Sequence, residues 1–176
     1  MIADDSVLMR FLIRDILTAD PDIEIVGFAN NGKEAYLLTK KLMPDVVLMD
    51  MTMGEYGGLY GVEAIMKDCP TPIVILSSMG NTDMEPILKC LKLGAIDYLN
   101  KPVKNNVNLR EVETELIEKV KVASKADMSH LVKNDHFNNV HVHAFDDNVQ
   151  YDIIVIGAST GGPTAVETVL TQLPQN

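Results

Sequence analysis

Short apolar runs alternate along the chain with longer stretches in which apolar residues recur every three or four positions. The runs are almost free of polar residues, as expected of parallel strands that are covered on both faces. They predict strands at residues 1–3, 23–28, 45–49, 73–76 and 96–99. Because strands and helices alternate regularly, the sequence predicts a parallel α/β sheet.

Two of the predicted helices carry an apolar stripe that we expect to face the sheet. The stripe of the first helix consists of Val7, Leu8, Phe11, Leu12 and Ile16. The stripe of the last helix consists of Leu109, Val112, Leu116 and Val120.

Composition narrows the class of protein. Of the 176 residues 47% are hydrophobic, which is enough for a buried core. The formal charge of −10 disfavours nucleic acid as a partner, because phosphates repel an acidic surface. The two cysteines, Cys69 and Cys90, form no recognisable motif, and no apolar run approaches the ~20 residues of a membrane span. We therefore expect a cytoplasmic protein with free thiols and no membrane insertion.

The pattern changes near residue 123. Residues 1–123 form the first predicted domain, and 124–150 are polar, aperiodic and contain all four histidines, which predicts a flexible linker. His141 and His143 have the spacing of a metal-binding pair, but no third ligand lies nearby, so a solvated linker is favoured. A second α/β pattern begins at 151–176 and reads as the start of another domain.

Charged and polar side chains follow several strands of the first domain. Asp4 and Asp5 follow the first strand, Asp50 the third, Ser77 the fourth and Lys101 the fifth. Because ligands of parallel α/β sheets bind at the carboxyl ends of the strands, we expect these side chains to converge.

Clustered carboxylates repel one another unless a cation lies among them, and hard oxygen ligands suit Mg²⁺. The chemistry that this set supports is phosphoryl transfer, with Asp50 as nucleophile, Asp4 and Asp5 as metal ligands and Lys101 covering the remaining charge. The alternative is that each acid merely caps a helix or loop. Asp5 precedes a predicted helix and is expected to cap it, but capping does not explain the whole set.

This set resembles the response-regulator receiver domain, through Asp4-Asp5-Ser6, Asp50, Met53, Ser77, Tyr98 and Lys101-Pro102. The resemblance implies a five-stranded, doubly wound, flavodoxin-like sheet with Asp50 as phosphoacceptor. It implies that the backbone carbonyl of Thr52 joins the metal ligands and that Ser77 binds the phosphoryl group. It also implies that Tyr98 is an aromatic switch, rather than only a half-buried strand residue, and that the Lys101-Pro102 peptide is cis.

The chain departs from the receiver pattern after the acceptor. Gly54 stands where the family usually has proline, and Gly57 where it usually has aspartate. Extra glycines make a loop costlier to order, so we expect an altered loop rigidity and phosphoryl lifetime.

A second motif, Gly157-x-Ser159-x-Gly161, follows the apolar run Asp152–Ile156 and precedes a helical pattern. This context is the one that a nucleophile elbow requires. The same glycines also suit a phosphate-binding turn of a dinucleotide-binding fold, or a plain strand-to-helix connection.

A receiver, a polar linker and this motif together resemble the chemotaxis response regulator protein-glutamate methylesterase family. The resemblance implies phosphorylation by a chemotaxis histidine kinase and hydrolysis of glutamate methyl esters, with deamidation of glutamines, on methylated chemoreceptors. Ser159 matches the family's nucleophile, while its histidine and aspartate partners lie beyond residue 176. We therefore expect the 176-residue chain alone to act as a phosphoacceptor and to be inactive as an esterase. A stand-alone receiver that binds partners when phosphorylated, and a receiver joined to a nucleotide-binding Rossmann domain, are the alternatives.

Overall fold

The computed structural model describes residues 1–78, 84–101, 109–128, 166, 170 and 171. Five parallel strands form one sheet in the order β2-β1-β3-β4-β5. The strands are β1 (Ile2–Ala3), β2 (Phe28–Ala29), β3 (Val47–Asp50), β4 (Ile73–Ser77) and β5 (Asp97–Asn100). The helices are α1 (Val7–Leu17), α2 (Gly32–Leu42), α3 (Gly58–Asp68), α4 (Glu85–Lys92) and α5 (Leu109–Ala123).

The core lies on both faces of the sheet, because successive strand residues point to opposite sides. On β3, Val47 and Met49 pack into one cluster with apolar residues of α2, α3 and α4, whereas Leu48 packs into a second cluster with α1 and α5. Helices on both faces of a parallel sheet confirm the predicted doubly wound, flavodoxin-like fold. In the part of the chain described above, no helix is both long and apolar enough to cross a bilayer.

The prediction for the second strand is wrong in its extent. A strand was predicted at 23–28, but β2 comprises only Phe28–Ala29. β2 pairs with β1, whose two residues Ile2 and Ala3 align with Phe28 and Ala29. The Gly27 carbonyl still accepts a hydrogen bond from the Ile2 amide at 3.1 Å, but β1 is too short to pair with the residues before it. Ile23 and Ile25 nevertheless pack against the core.

The predicted stripe of α1 is also wrong in part. Val7, Leu8 and Phe11 are exposed, and the fully buried residues of this helix include Ile13 and Leu17 instead. The first turn of α1 begins beyond the carboxyl end of β1, so its apolar side chains find no strand beneath them. The α5 stripe is better placed, since Leu116 is fully buried and Val112 and Val120 are partly buried.

Several predictions fall on residues that the structure does not describe. They concern the cis peptide at Pro102, most of the linker, the His141 and His143 pair, and the Ser159 motif. These remain predictions, as does the division of the chain into domains at 123 and 150.

Candidate functional site

The strand order places the charged residues of the sequence prediction at one edge of the sheet. Asp4 directly follows β1, Asp50 ends β3, Ser77 ends β4 and Lys101 directly follows β5. β3 is the central strand of the five, with β1 and β4 on either side. The register aligns Asp50 with Leu76, and the Lys101 amide donates to the Ser77 carbonyl at 2.7 Å. The carboxyl ends of four strands therefore meet around Asp50.

Lys101 bridges two buried carboxylates. Its Nζ lies 2.8 Å from Oδ2 of Asp4 and 2.7 Å from Oδ2 of Asp50. The side chain of Lys101 is 11% exposed and that of Asp4 is fully buried, so water screens these contacts little. Charges in such a position remain stable only when they are paired. Lys101 is thus the group that compensates both acids.

The second oxygen of each buried carboxylate is held by the backbone. Oδ1 of Asp4 accepts a hydrogen bond from the Ser6 amide at 2.8 Å, and Oδ1 of Asp50 accepts one from the Thr52 amide at 3.1 Å. These bonds orient both carboxylates, so that each directs its other oxygen towards Lys101. Asp4, Asp50 and Lys101 are therefore brought together as one contact network.

Burial raises the pKa of Asp50, and the close contact with the Lys101 ammonium group only partly offsets this effect. For Lys101 burial by itself would lower the pKa, but contact with Asp4 and Asp50 outweighs it and raises the pKa above its usual value. The lysine therefore stays charged at neutral pH, and its charge favours the anionic form of Asp50, which a nucleophile needs.

The donor set fits a hard divalent cation. One carboxylate oxygen from each of Asp4, Asp5 and Asp50 lies within 4.8 Å of the other two. Asp5 is exposed at the rim of the site. Oδ2 of Asp4 and Oδ2 of Asp50 are buried, and no group among the described residues gives them an aligned hydrogen bond. Lys101 compensates them by charge alone. Oxygens of this kind, with a third carboxylate open to solvent, suit Mg²⁺ and its retained waters.

The loop after β3 shows why glycine can replace proline in this chain. Gly54 has φ of 66°, in the left-handed region, and opens the 3₁₀ turn Gly54–Tyr56. Proline fixes φ near −65° and could not adopt this conformation. The loop is closed by a hydrogen bond from the Gly58 amide to the Met51 carbonyl at 3.1 Å. Gly54 is therefore suited to this path of the backbone.

The side chains of two further predicted residues lie near the cluster, and neither has an observed hydrogen bond or ion pair with it. Ser77 is buried at the end of β4. Tyr98 is half-buried on β5 and packs against the core on the side of α2, α3 and α4. A half-buried aromatic fits both interpretations of Tyr98, so its role as a switch stays a prediction.

At the start of α1, one prediction is wrong and one contact was missed. Ser6, and not Asp5, caps the helix, because its hydroxyl accepts a hydrogen bond from the Met9 amide at 3.3 Å. Asp5 therefore does not serve as the N-cap of α1. The Arg10 guanidinium donates to the Asp4 carbonyl. The sequence indicated this contact only through the position of Arg10, shortly after Asp4 and Asp5.

Comparison with known proteins identifies the first part of the chain. The family model of the response regulator receiver domain matches residues 1–113. The crystal structure of the response regulator domain of Thermotoga maritima CheB is 35% identical, with a TM-score of 0.64, and the match covers 72% of this chain and 95% of that one. The signal receiver domain of NarL from Mycobacterium tuberculosis is 25% identical, with a TM-score of 0.61, over 72% of this chain and 94% of that one.

Curated relatives match nearly the whole chain. A protein-glutamate methylesterase/protein-glutamine glutaminase of Methanococcoides burtonii is 39% identical over 99% of this chain and 50% of its own length. Its counterpart in Thermotoga maritima is 33% identical over 100% of this chain and 51% of its own length. The chain thus spans about half the length of these relatives. The chain therefore belongs to the response regulator receiver family, and nearly its whole length is similar to the first half of these protein-glutamate methylesterases.

Proposed function

We propose that the receiver domain is a phosphoacceptor and that Asp50 is its nucleophile. The observation that carries this proposal is the bridge of Lys101 between Asp4 and Asp50 in a buried site with Asp5 at its rim. A purely structural ion pair needs one acid for one base. Here three carboxylates lie close together and one ammonium group pairs with only two of them, so the cluster is negative and favours a further cation.

In the proposed reaction an oxygen of Asp50 forms a bond to phosphorus while the bond from phosphorus to the leaving group breaks. The leaving group takes the electron pair of that bond, and the product is an aspartyl phosphate. Lys101 keeps Asp50 anionic beforehand and faces the negative charge of the phosphoryl group afterwards. Ser77, buried at the end of the adjacent strand, is the proposed hydrogen-bond donor to a phosphoryl oxygen.

Asp4, Asp5 and Asp50, with the Thr52 carbonyl, are the proposed ligands of Mg²⁺. The bound ion would neutralise charge on the phosphoryl oxygens. The two buried Oδ2 atoms support this assignment, because Lys101 alone serves both of them. A histidine kinase of chemotaxis is the proposed phosphoryl donor, in line with the relatives that the chain resembles, and the proposed location is the cytoplasm.

The test is phosphorylation by acetyl phosphate in the presence of Mg²⁺, followed by intact-protein mass spectrometry. The wild type should gain the mass of one phosphoryl group, and Asp50→Asn should gain none. Asp15→Asn is the matched control, because Asp15 is an exposed aspartate on α1 whose side chain is 64% accessible. An adduct of equal yield on wild type and Asp50→Asn would refute the assignment.

For the whole protein we propose hydrolysis of glutamate methyl esters and deamidation of glutamines on methylated chemoreceptors, with Ser159 as nucleophile. The support is the name and the identity of the curated relatives, together with the Gly157-x-Ser159-x-Gly161 motif. In the whole protein, Ser159→Ala should abolish release of methanol from methylated receptor, whereas Thr160→Ala should retain it. Equal release by the two variants would exclude Ser159 as nucleophile.

A further inference from the structure

Glycines bring α2 unusually close to the loop that precedes α3. Gly32 is the first residue of α2, and Gly57 caps the start of α3. A methyl group on Gly32 would lie 2.4 Å from the Gly57 carbonyl oxygen and 2.8 Å from the Gly61 amide nitrogen. Both are backbone atoms, so no side-chain rotation can relieve the overlap. Only glycine fits at position 32 in the present arrangement.

The same loop lies directly against the backbone of the candidate phosphoacceptor. A methyl group on Gly58 would lie 2.3 Å from the Asp50 carbonyl oxygen, and one on Gly57 would lie 3.1 Å from the Met51 carbonyl oxygen. The Gly58 amide also donates to the Met51 carbonyl. Gly57 and Gly58 therefore fill the space between α2 and the carboxyl end of β3.

The start of α2 is fixed from its other side. The Asn31 side chain accepts a hydrogen bond from the Glu34 amide at 2.9 Å, and the Glu34 carboxylate accepts one from the Asn30 amide at 2.7 Å. The Ala29 carbonyl in turn accepts from the Asp4 amide at 3.0 Å. Because these bonds resist movement of α2, we expect a group added to Gly32 to displace the Gly57 carbonyl as well as the helix.

We propose that Gly32 is a positioning residue for the phosphorylation site. It lets the Gly57 and Gly58 loop rest against Asp50 and Met51, and so sets where the backbone of residues 50–52 lies relative to Lys101. The inference rests on the proposed phosphoacceptor function, which it extends to a residue of another helix that touches neither Lys101 nor the carboxylates.

The geometry gives the size of the effect. In Gly32→Ala the Gly57 carbonyl would have to move by roughly 0.6 Å to reach the 3.0 Å below which such contacts essentially never occur. Catalytic groups must be held within about 0.5 Å of their productive positions, and a displacement of about 1 Å can cost ~10²-fold in rate. We therefore expect phosphoryl uptake to slow by on the order of ten-fold. Helix propensity alone predicts instead that Gly32→Ala would stabilise α2 and leave the rate unchanged, because alanine favours helix over glycine.

The experiment compares Gly32→Ala with Gly27→Ala. A methyl group on Gly27 would lie 2.8 Å from Cδ1 of Leu42 and 3.9 Å from Cγ of Met1, and both are atoms of flexible side chains rather than backbone. The rate of phosphorylation by acetyl phosphate is measured at saturating Mg²⁺, together with the melting temperature. Gly32→Ala should remain folded but be phosphorylated more slowly than the wild type, whereas Gly27→Ala should be phosphorylated at the wild-type rate. A wild-type rate in folded Gly32→Ala would overturn the proposal.

A second variant and a set of amide chemical shifts test the same role of Gly32. If Gly32→Ala does not fold, Gly57→Ala replaces it, because its methyl group makes only a tight contact of 3.1 Å with the Met51 carbonyl. An unchanged rate in Gly57→Ala would then overturn the proposal. If the wild type itself takes up no phosphate, the proposed function fails, and positioning is judged from amide chemical shifts. Gly32→Ala should shift the Met51 and Thr52 amides and Gly27→Ala should leave them in place, and equal spectra would refute positioning.

Discussion

Replacing Lys101 by methionine tests the charge balance of the site. Lys101→Met keeps most of the apolar length of the side chain but removes the ammonium group that lies 2.8 Å from Asp4 and 2.7 Å from Asp50. Two buried carboxylates then face each other without compensation. Removing one partner of a buried ion pair costs about 3–5 kcal/mol, a large part of the ~5–15 kcal/mol that stabilises a typical domain.

The loss should depend on pH, and its sign follows from the pKa of Asp50. Burial already raises this pKa above its ordinary 3.8, and without Lys101 it rises further. The folded variant then binds a proton more tightly than the unfolded chain, so its stability falls as pH rises from 3.8 through the raised pKa. The free energy of unfolding of Lys101→Met should therefore be close to that of the wild type near pH 4 and should show the full loss at neutral pH.

Urea unfolding at several pH values, with and without Mg²⁺, measures these effects. Mg²⁺ should restore more stability to Lys101→Met than to the wild type, because the ion no longer competes with an ammonium group. The matched control is Lys119→Met, which removes a half-buried contact of 2.6 Å with Asp97. This variant should lose less stability, and Mg²⁺ should stabilise it by the same amount as the wild type. An equal, pH-independent loss in both variants would refute the role assigned to Lys101.

Two more predictions separate the site from the core. Asp5→Ala should weaken Mg²⁺ binding by on the order of ten-fold, or about 1.4 kcal/mol, because it removes a carboxylate without disturbing a helix cap. An NMR titration measures this, with Asp15→Ala as the neutral control, and an unchanged affinity would contradict the ligand assignment. Leu116→Ala should cost about 2–5 kcal/mol in urea unfolding, since Leu116 is fully buried on α5. The exposed neighbour Val122→Ala should be close to neutral, and similar losses would show that α5 is not packed as described.

The site could be predicted from the sequence because the topology of a parallel sheet determines which residues lie together. Once the apolar runs are recognised as parallel strands, their carboxyl ends must share an edge, and whatever follows them converges there. Asp4, Asp50 and Lys101 needed no knowledge of loops or side-chain packing to be grouped. The central position of β3 likewise follows from the fold alone.

Helix faces and glycine contacts could not be read in the same way. Eight of the eleven residues of α1 are apolar, so several stripes satisfy a helical period. The choice between Leu8 and Ile13 depends on where the sheet ends. In the sequence Gly32 follows Asn31, and an Asn-Gly pair indicates no more than a turn. Its contact with Gly57 joins residues 25 positions apart in the chain, and nothing local to either residue reports it.

The arrangement of charge explains why this site should respond to ligands rather than simply stabilise the fold. Lys101 divides one positive charge between two buried oxygens, and neither receives an aligned hydrogen bond from it. A fully satisfied network would gain nothing from a further ion. Here a cation at the Asp5 rim would relieve repulsion among the carboxylates, and a phosphoryl group on Asp50 would draw Lys101 away from Asp4. The contact between Lys101 and Asp4 is therefore the bond most open to change when the site is occupied.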